Sequence, residues 1–169
     1  MANTLIEPVL NCAACEQVIR DTTHGTLAMC HENAPYAVPM NHAFVDGRFY
    51  FHCGIRGHKL DLIAQNPNVV YVINKSHAAP DATEASVRCH GPWESLIAYG
   101  TARVVEDLDE KAVAFGKFMG YYGKPDYKMD ELARTSTSGI VMDVTSMTVR
   151  AELTRGTTEY WLWTPAEPS

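Results

Sequence analysis

Asp46-Gly47 separates two runs of apolar and aromatic residues, and that arrangement commits the middle of the chain to an antiparallel β-hairpin. On the leading side Tyr36, Val38, Met40, His42 and Phe44 recur with a period of two, in a run that ends at Val45. On the return side stands RFYFHC, Arg48 to Cys53, dense in aromatics. Gly47 supplies the positive φ that the tight turn needs. Pro39 has no N–H for a ladder, so its strand lies at an edge or is locally unpaired there. Such an edge can offer free backbone groups to a planar heterocycle. Equally, Pro39 can guard the edge against aggregation. The residues leave both readings open.

The remaining segments extend the β character. The patterning predicts a helix over 7–22, opened by Pro8 and stopped by His24-Gly25. Thr26 to Cys30 reads as a short strand, and His31 to Ala34 as a turn. After Gly54 and Gly57, His58 to Asn66 reads as a short helix burying Leu60, Ile63 and Ala64, closed by Pro67. Val69 to Ile73 reads as a buried strand. Residues 74–92 are polar and irregular. Trp93 to Val105 is strand-like, with Gly100 a bulge or close-approach point. Residues 107–121 read as a helix, with Leu108, Val113, Phe115, Phe118 and Met119 as its apolar positions. Residues 126–134 suit another short helix, and Ile140 to Leu153 and Glu159 to Trp163 return to β. Strands and helices do not alternate as βαβ units, so the expected class is α+β, built around an antiparallel barrel.

Composition narrows the function. A length of 169 residues suits one domain. With 46% hydrophobic and 20% charged residues, disorder, collagen and coiled coil are excluded as global descriptions. The net charge of −6 argues against a nucleic-acid binder, which normally shows a basic face. No apolar run approaches the ~20 residues of a membrane helix. The first residues carry no signal-peptide pattern, and the expectation is a cytoplasmic protein. Five cysteines at irregular spacing do not form a secreted disulfide framework.

The chemistry concentrates in FYFHCGIRGHK, Phe49 to Lys59. A strand ends in a glycine-flanked loop that opens a helix. Free N–H groups and the positive end of the helix dipole make such a terminus an anion site. Arg56, His58 and Lys59 add cationic donors, and Gly57 permits close backbone approach. A solvated basic loop is the plainer alternative. His52 stands in the strand just before this loop, either as a titrating group or as a packed strand histidine. Cys12-Ala-Ala-Cys15 has the spacing of a redox or metal pair. It lacks a βαβ setting and a second CxxC, and two buried small residues on one helix face are the bland account.

Taken in order, GTLAM, PYAVPMNHAF, DGRFYFHCGIRGHKLDLIAQNPNVVYVI and SLIAYGTARVVED resemble the pyridoxamine-phosphate-oxidase-like flavoproteins, and most of all their nitroimidazole-resistance (Nim) branch. The resemblance spans about Thr26 to Asp107. It implies a split β-barrel that binds FMN as a homodimer, with two sites between subunits. Val38, Pro39, Met40 and Asn41 would lie along the isoalloxazine, as would Phe51, His52 and Cys53. His58 and Lys59 match the family's phosphate-binding basic pair. Ser95 matches a position that meets the flavin, in some members from the partner subunit, and Arg150 falls near a basic position of the closing strand. The tail WLWTPAEPS has no basic residue after Arg155, unlike the segment that holds substrate phosphate in the B6 oxidases. The expected activity is therefore an FMN-dependent oxidoreductase acting on nitroimidazole-like or other small electrophiles, with His52 as proton donor. A non-catalytic flavin protein, or haem binding on the same barrel, are the alternatives.

Overall fold

The longest strand, β8 (Thr137–Thr154), organises the molecule. One of its edges pairs along β7 (Trp93–Val105). Its other edge is shared. The first half takes β5 (Arg48–Gly54), and the second takes β9 (Thr157–Trp163). The sheet continues from β7 to β6 (Asn68–Ser76), then β2 (His24–His31) and β3 (Ala34–Asn41). β4 (Ala43–Val45) pairs β5, and β1 (Val9–Leu10) pairs β9 in parallel. The result is an α+β split β-barrel with helices at its periphery. This computed structural model describes residues 6–76, 92–154 and 156–166.

The hairpin forms at Asp46 and Gly47, with φ of 52° and 75°. Glu32 and Asn33, also at positive φ, make a second such turn between β2 and β3. Gly100 sits where the β7–β8 register shifts. A Cβ there would stand 2.1 Å from the Asp143 carbonyl oxygen, so the close approach requires glycine.

The barrel interior is apolar, filled by Leu27, Phe49, Tyr71, Ile73, Leu96, Ile140 and Met142. Helix α1 (Cys12–Arg20) caps it with Cys15, Val18 and Ile19. α2 (His58–Gln65) plugs it with Leu62 and Ile63. Two further helices, α3 (Leu108–Tyr121) and α4 (Glu131–Ser136), lie outside. Phe118 and Ala114 of α3 form a second cluster with Tyr50, Val105 and Val141.

Several boundaries differ from the sequence reading. Val9 and Leu10 are a strand, because β9 offers a ladder that propensity cannot foresee. Gly25 ends no helix. It lies in β2, tightly beneath the Val72 carbonyl. On α2 the inward residue is Leu62 rather than Ala64. On α3 Leu108 and Val113 are exposed, while Lys111 turns inward and donates to the Arg134 carbonyl. The last short helix starts at Glu131, capped by Asp130. Of the stretch read as irregular, Asn74 to Ser76 belong to β6. The remainder from 77 to 91, with His77, Cys89 and His90, lies outside the described residues. Among the described residues no helix is long and apolar enough to cross a membrane.

Candidate functional site: the seam of the barrel

Two strand edges face each other where the barrel is split. β3 pairs only with β2 among the described residues. β4 covers β5 only as far as Tyr50, leaving Phe51 to Gly54 with β8 alone. β3 and β5 touch across this gap. Pro39 thus lies on an edge strand, as its missing donor requires. Val38 and Met40 turn toward the core, whereas Pro39 and Asn41 are exposed. The Asn41 side chain donates to the Thr23 carbonyl at 3.1 Å.

The loop after β5 closes one end of the gap. Gly57 is the N-cap of α2 with φ 145°, a conformation that favours glycine. No side chain caps this helix start, so its first N–H groups have no side-chain acceptor. Arg56 and His58 are exposed and Lys59 is half-buried. None of the three pairs with a carboxylate among the described residues. The His58 ring meets the Tyr36 ring edge-on at 5.0 Å, which ties the helix start to β3. Lys59 also acts on Cys53: burial raises the thiol pKa, and the nearby ammonium opposes that shift. The seam therefore gathers Tyr36, Cys53, His58 and Lys59, with Arg56 alongside in the loop. The sequence pattern assigns Tyr36 to the strand and no site role; its pairing with His58 is a tertiary contact with no local signal.

The neighbours on β5 divide by face. Phe51 is buried between Phe49 and Tyr71, so only its backbone is free for a ligand. Cys53 also faces the core side. His52 points the other way and lies 4.7 Å from the Phe118 ring of α3. Partial burial against that ring lowers its pKa, which favours the neutral imidazole. His52 is thus on the opposite face of β5 from Cys53 and its neighbour Lys59.

Ser95 is half-buried in β7, between Asn74 and Arg150 in register. Arg150 stacks over Tyr160 at 4.8 Å. α2 packs near Ala102 and Val104 of the same strand. Seven residues of strand, roughly 23 Å, separate Ser95 from that end. One chain does not bring Ser95 to its own basic loop.

Beside the seam lies a buried polar group with no sequence companion. His42 is fully buried, with Nδ1 2.9 Å from the Tyr71 hydroxyl and Nε2 3.2 Å from the Ile19 carbonyl. The Tyr71 hydroxyl also lies 2.8 Å from the Met40 carbonyl, and Tyr122 donates to the His42 carbonyl at 2.6 Å. Burial lowers the His42 pKa to about 4. This network fixes the backbone at Met40, on the strand that lines the seam.

The fold and its seam define a split-barrel protein with an uncapped, basic helix start at one strand opening. The chain belongs to the pyridoxamine 5'-phosphate oxidase family, whose model matches residues 11–151. No protein among the curated ones matches significantly. Solved structures share the fold at low identity. A candidate 5-nitroimidazole antibiotic resistance protein from Bacteroides thetaiotaomicron VPI-5482 is 23% identical over 83% of this chain and 84% of that one, with a TM-score of 0.70. An FAD and haem binding protein from Mycobacterium smegmatis is 12% identical over 89% and 80%, at 0.68. An FAD-binding protein from Mesorhizobium loti is 18% identical over 85% and 96%, at 0.63.

Proposed function

We propose that the seam binds FMN and that the chain is an oxidoreductase of the Nim branch, reducing nitroimidazole-like or other small electrophiles. The carrying observation is the uncapped start of α2 beside Arg56, His58 and Lys59, which have no carboxylate partner among the described residues, between two open strand edges. A terminal phosphate matches that donor set, since charge-assisted hydrogen bonds are roughly twice as strong as neutral ones. Arg56, His58 and Lys59 would hold it. The edges at Val38 to Asn41 and Phe51 to Cys53 would flank the ring and meet its polar rim. When bound, the flavin supplies the electron transfer. The chain's own residues bind it, orient it and exclude water.

We place the two sites of a homodimer between subunits. The separation of Ser95 from the basic loop supports this, because a second copy can supply Ser95 where the first does not. The outer sheet face supports it too: Val70, Val72, Ile97 and Tyr99 stand where a solvated face would be polar. His52 is the candidate proton donor. Its lowered pKa makes the imidazolium scarce at neutral pH, so proton donation by it gains as pH falls.

The test is reconstitution with FMN, anaerobic reduction, and addition of nitroheterocycles. Reoxidation by one of them supports the reductase. A bound flavin that never reoxidises contradicts the reductase and leaves a carrier or store.

A further inference from the structure

We propose that Cys12 and Cys15 form a redox-active dithiol, in which Cys12 attacks a low-molecular-weight disulfide and Cys15 resolves the adduct. The pair opens α1: Asn11 is the N-cap, and its side chain accepts from the Ala14 N–H at 3.1 Å. The Asn11 N–H donates to the Leu162 carbonyl at 2.9 Å, so β9 anchors the helix start. Positions i and i+3 of an α-helix share a face, with Cα atoms about 5 Å apart from the rise and radius. A disulfide accepts a spacing of about 4.4–6.8 Å. Both thiols are free.

Their environments differ as the two roles require. Cys12 is half-buried and borders a cleft of about 620 Å³, with Glu16, Arg48 and Trp163 among its walls. The cleft admits a small disulfide. Cys15 is fully buried, beyond reach of any external disulfide but beside Cys12. Burial, with Cys12 and Glu16 nearby, raises its thiol to about 12, so Cys15 does not compete for the external disulfide and its resolving step is the slow one. Among the described residues no group of three metal-ligating side chains includes the pair. Cys30 and Cys53 lie on β2 and β5, which are not adjacent strands, so among the described residues neither has such a neighbour.

The steps balance. Cys12 sulfur bonds one sulfur of the small disulfide, the S–S bond breaks, and the Cys12 proton leaves with the departing thiol. Cys15 sulfur then bonds Cys12 sulfur and releases the second small thiol with the Cys15 proton. Two electrons and two protons pass from the protein dithiol to the small disulfide, and an added dithiol reverses the exchange.

The test treats the full chain with oxidised glutathione, quenches with acid, and maps the tryptic peptide that ends at Arg20. The expected result is a peptide two hydrogens lighter, restored by dithiothreitol and abolished in Cys12→Ser. In Cys15→Ala, glutathione is expected to stay on Cys12 and to arrive at least about tenfold faster than on Cys30. The wild-type map decides even if the buried Cys15 variant does not fold. A peptide that keeps both thiols while Cys30, Cys53 or Cys89 is modified overturns the proposal.

Discussion

Lys59 holds its ammonium 3.8 Å from where a Cβ on Gly57 would stand, beside the Cys53 thiol, with no carboxylate partner among the described residues. If it anchors the phosphate, Lys59→Ala removes a charge-assisted bond of about 1.5–3 kcal/mol. FMN affinity, read by fluorescence titration, should then fall about ten- to a hundredfold. Unchanged affinity would move the phosphate elsewhere. His42 makes a different prediction. Its pKa drops from 6.5 to about 4 on burial, so the unfolded chain binds the extra proton between those values. The stability that the neutral ring contributes is complete above pH 6.5 and drains away as pH falls toward 4, by about 3 kcal/mol. Urea unfolding at several pH values should show His42→Gln losing that part of the slope; an unaltered slope would contradict it. The basic loop was legible because its residues lie within four positions of one another. His42 was not, because Tyr71 lies 29 residues away and only the closed barrel brings them together.

At the scale of elements, patterns that close locally were legible. The Asp46-Gly47 hairpin, the extent of β7 and the irregularity at Gly100 follow from turn chemistry, β-branching and a missing Cβ. Gly100→Ala should destabilise the protein by more than about 2 kcal/mol, because the new carbon meets backbone rather than a movable side chain. Thermal unfolding checks it, and an unchanged midpoint would mean that β7 and β8 can separate there. The illegible elements depend on distant partners. β1 exists through its parallel ladder with β9, and β8 runs 18 residues because β5 and β9 share its outer edge. On α3 the apolar stripe misled, since Val113 is exposed while the stem of Lys111 is buried.

For the whole molecule, the net charge of −6 is compatible with the proposed anion site, because three donors cluster where α2 begins while the acidic excess lies elsewhere. The proposed dimer is the other matter of this scale. Tyr99→Asp places a charge on the apolar outer face and should give a monomer by sedimentation, with FMN affinity falling in step. A charged variant that remains dimeric would exclude this face. Titrating the wild-type protein with FMN, FAD and riboflavin while recording the visible spectrum decides whether the seam is a flavin-phosphate site. The expected result is a flavin spectrum with FMN bound at least about ten times more tightly than riboflavin, which has the ring but no phosphate. Equal affinity for the two, or a Soret band from haem with no flavin bound, would contradict it.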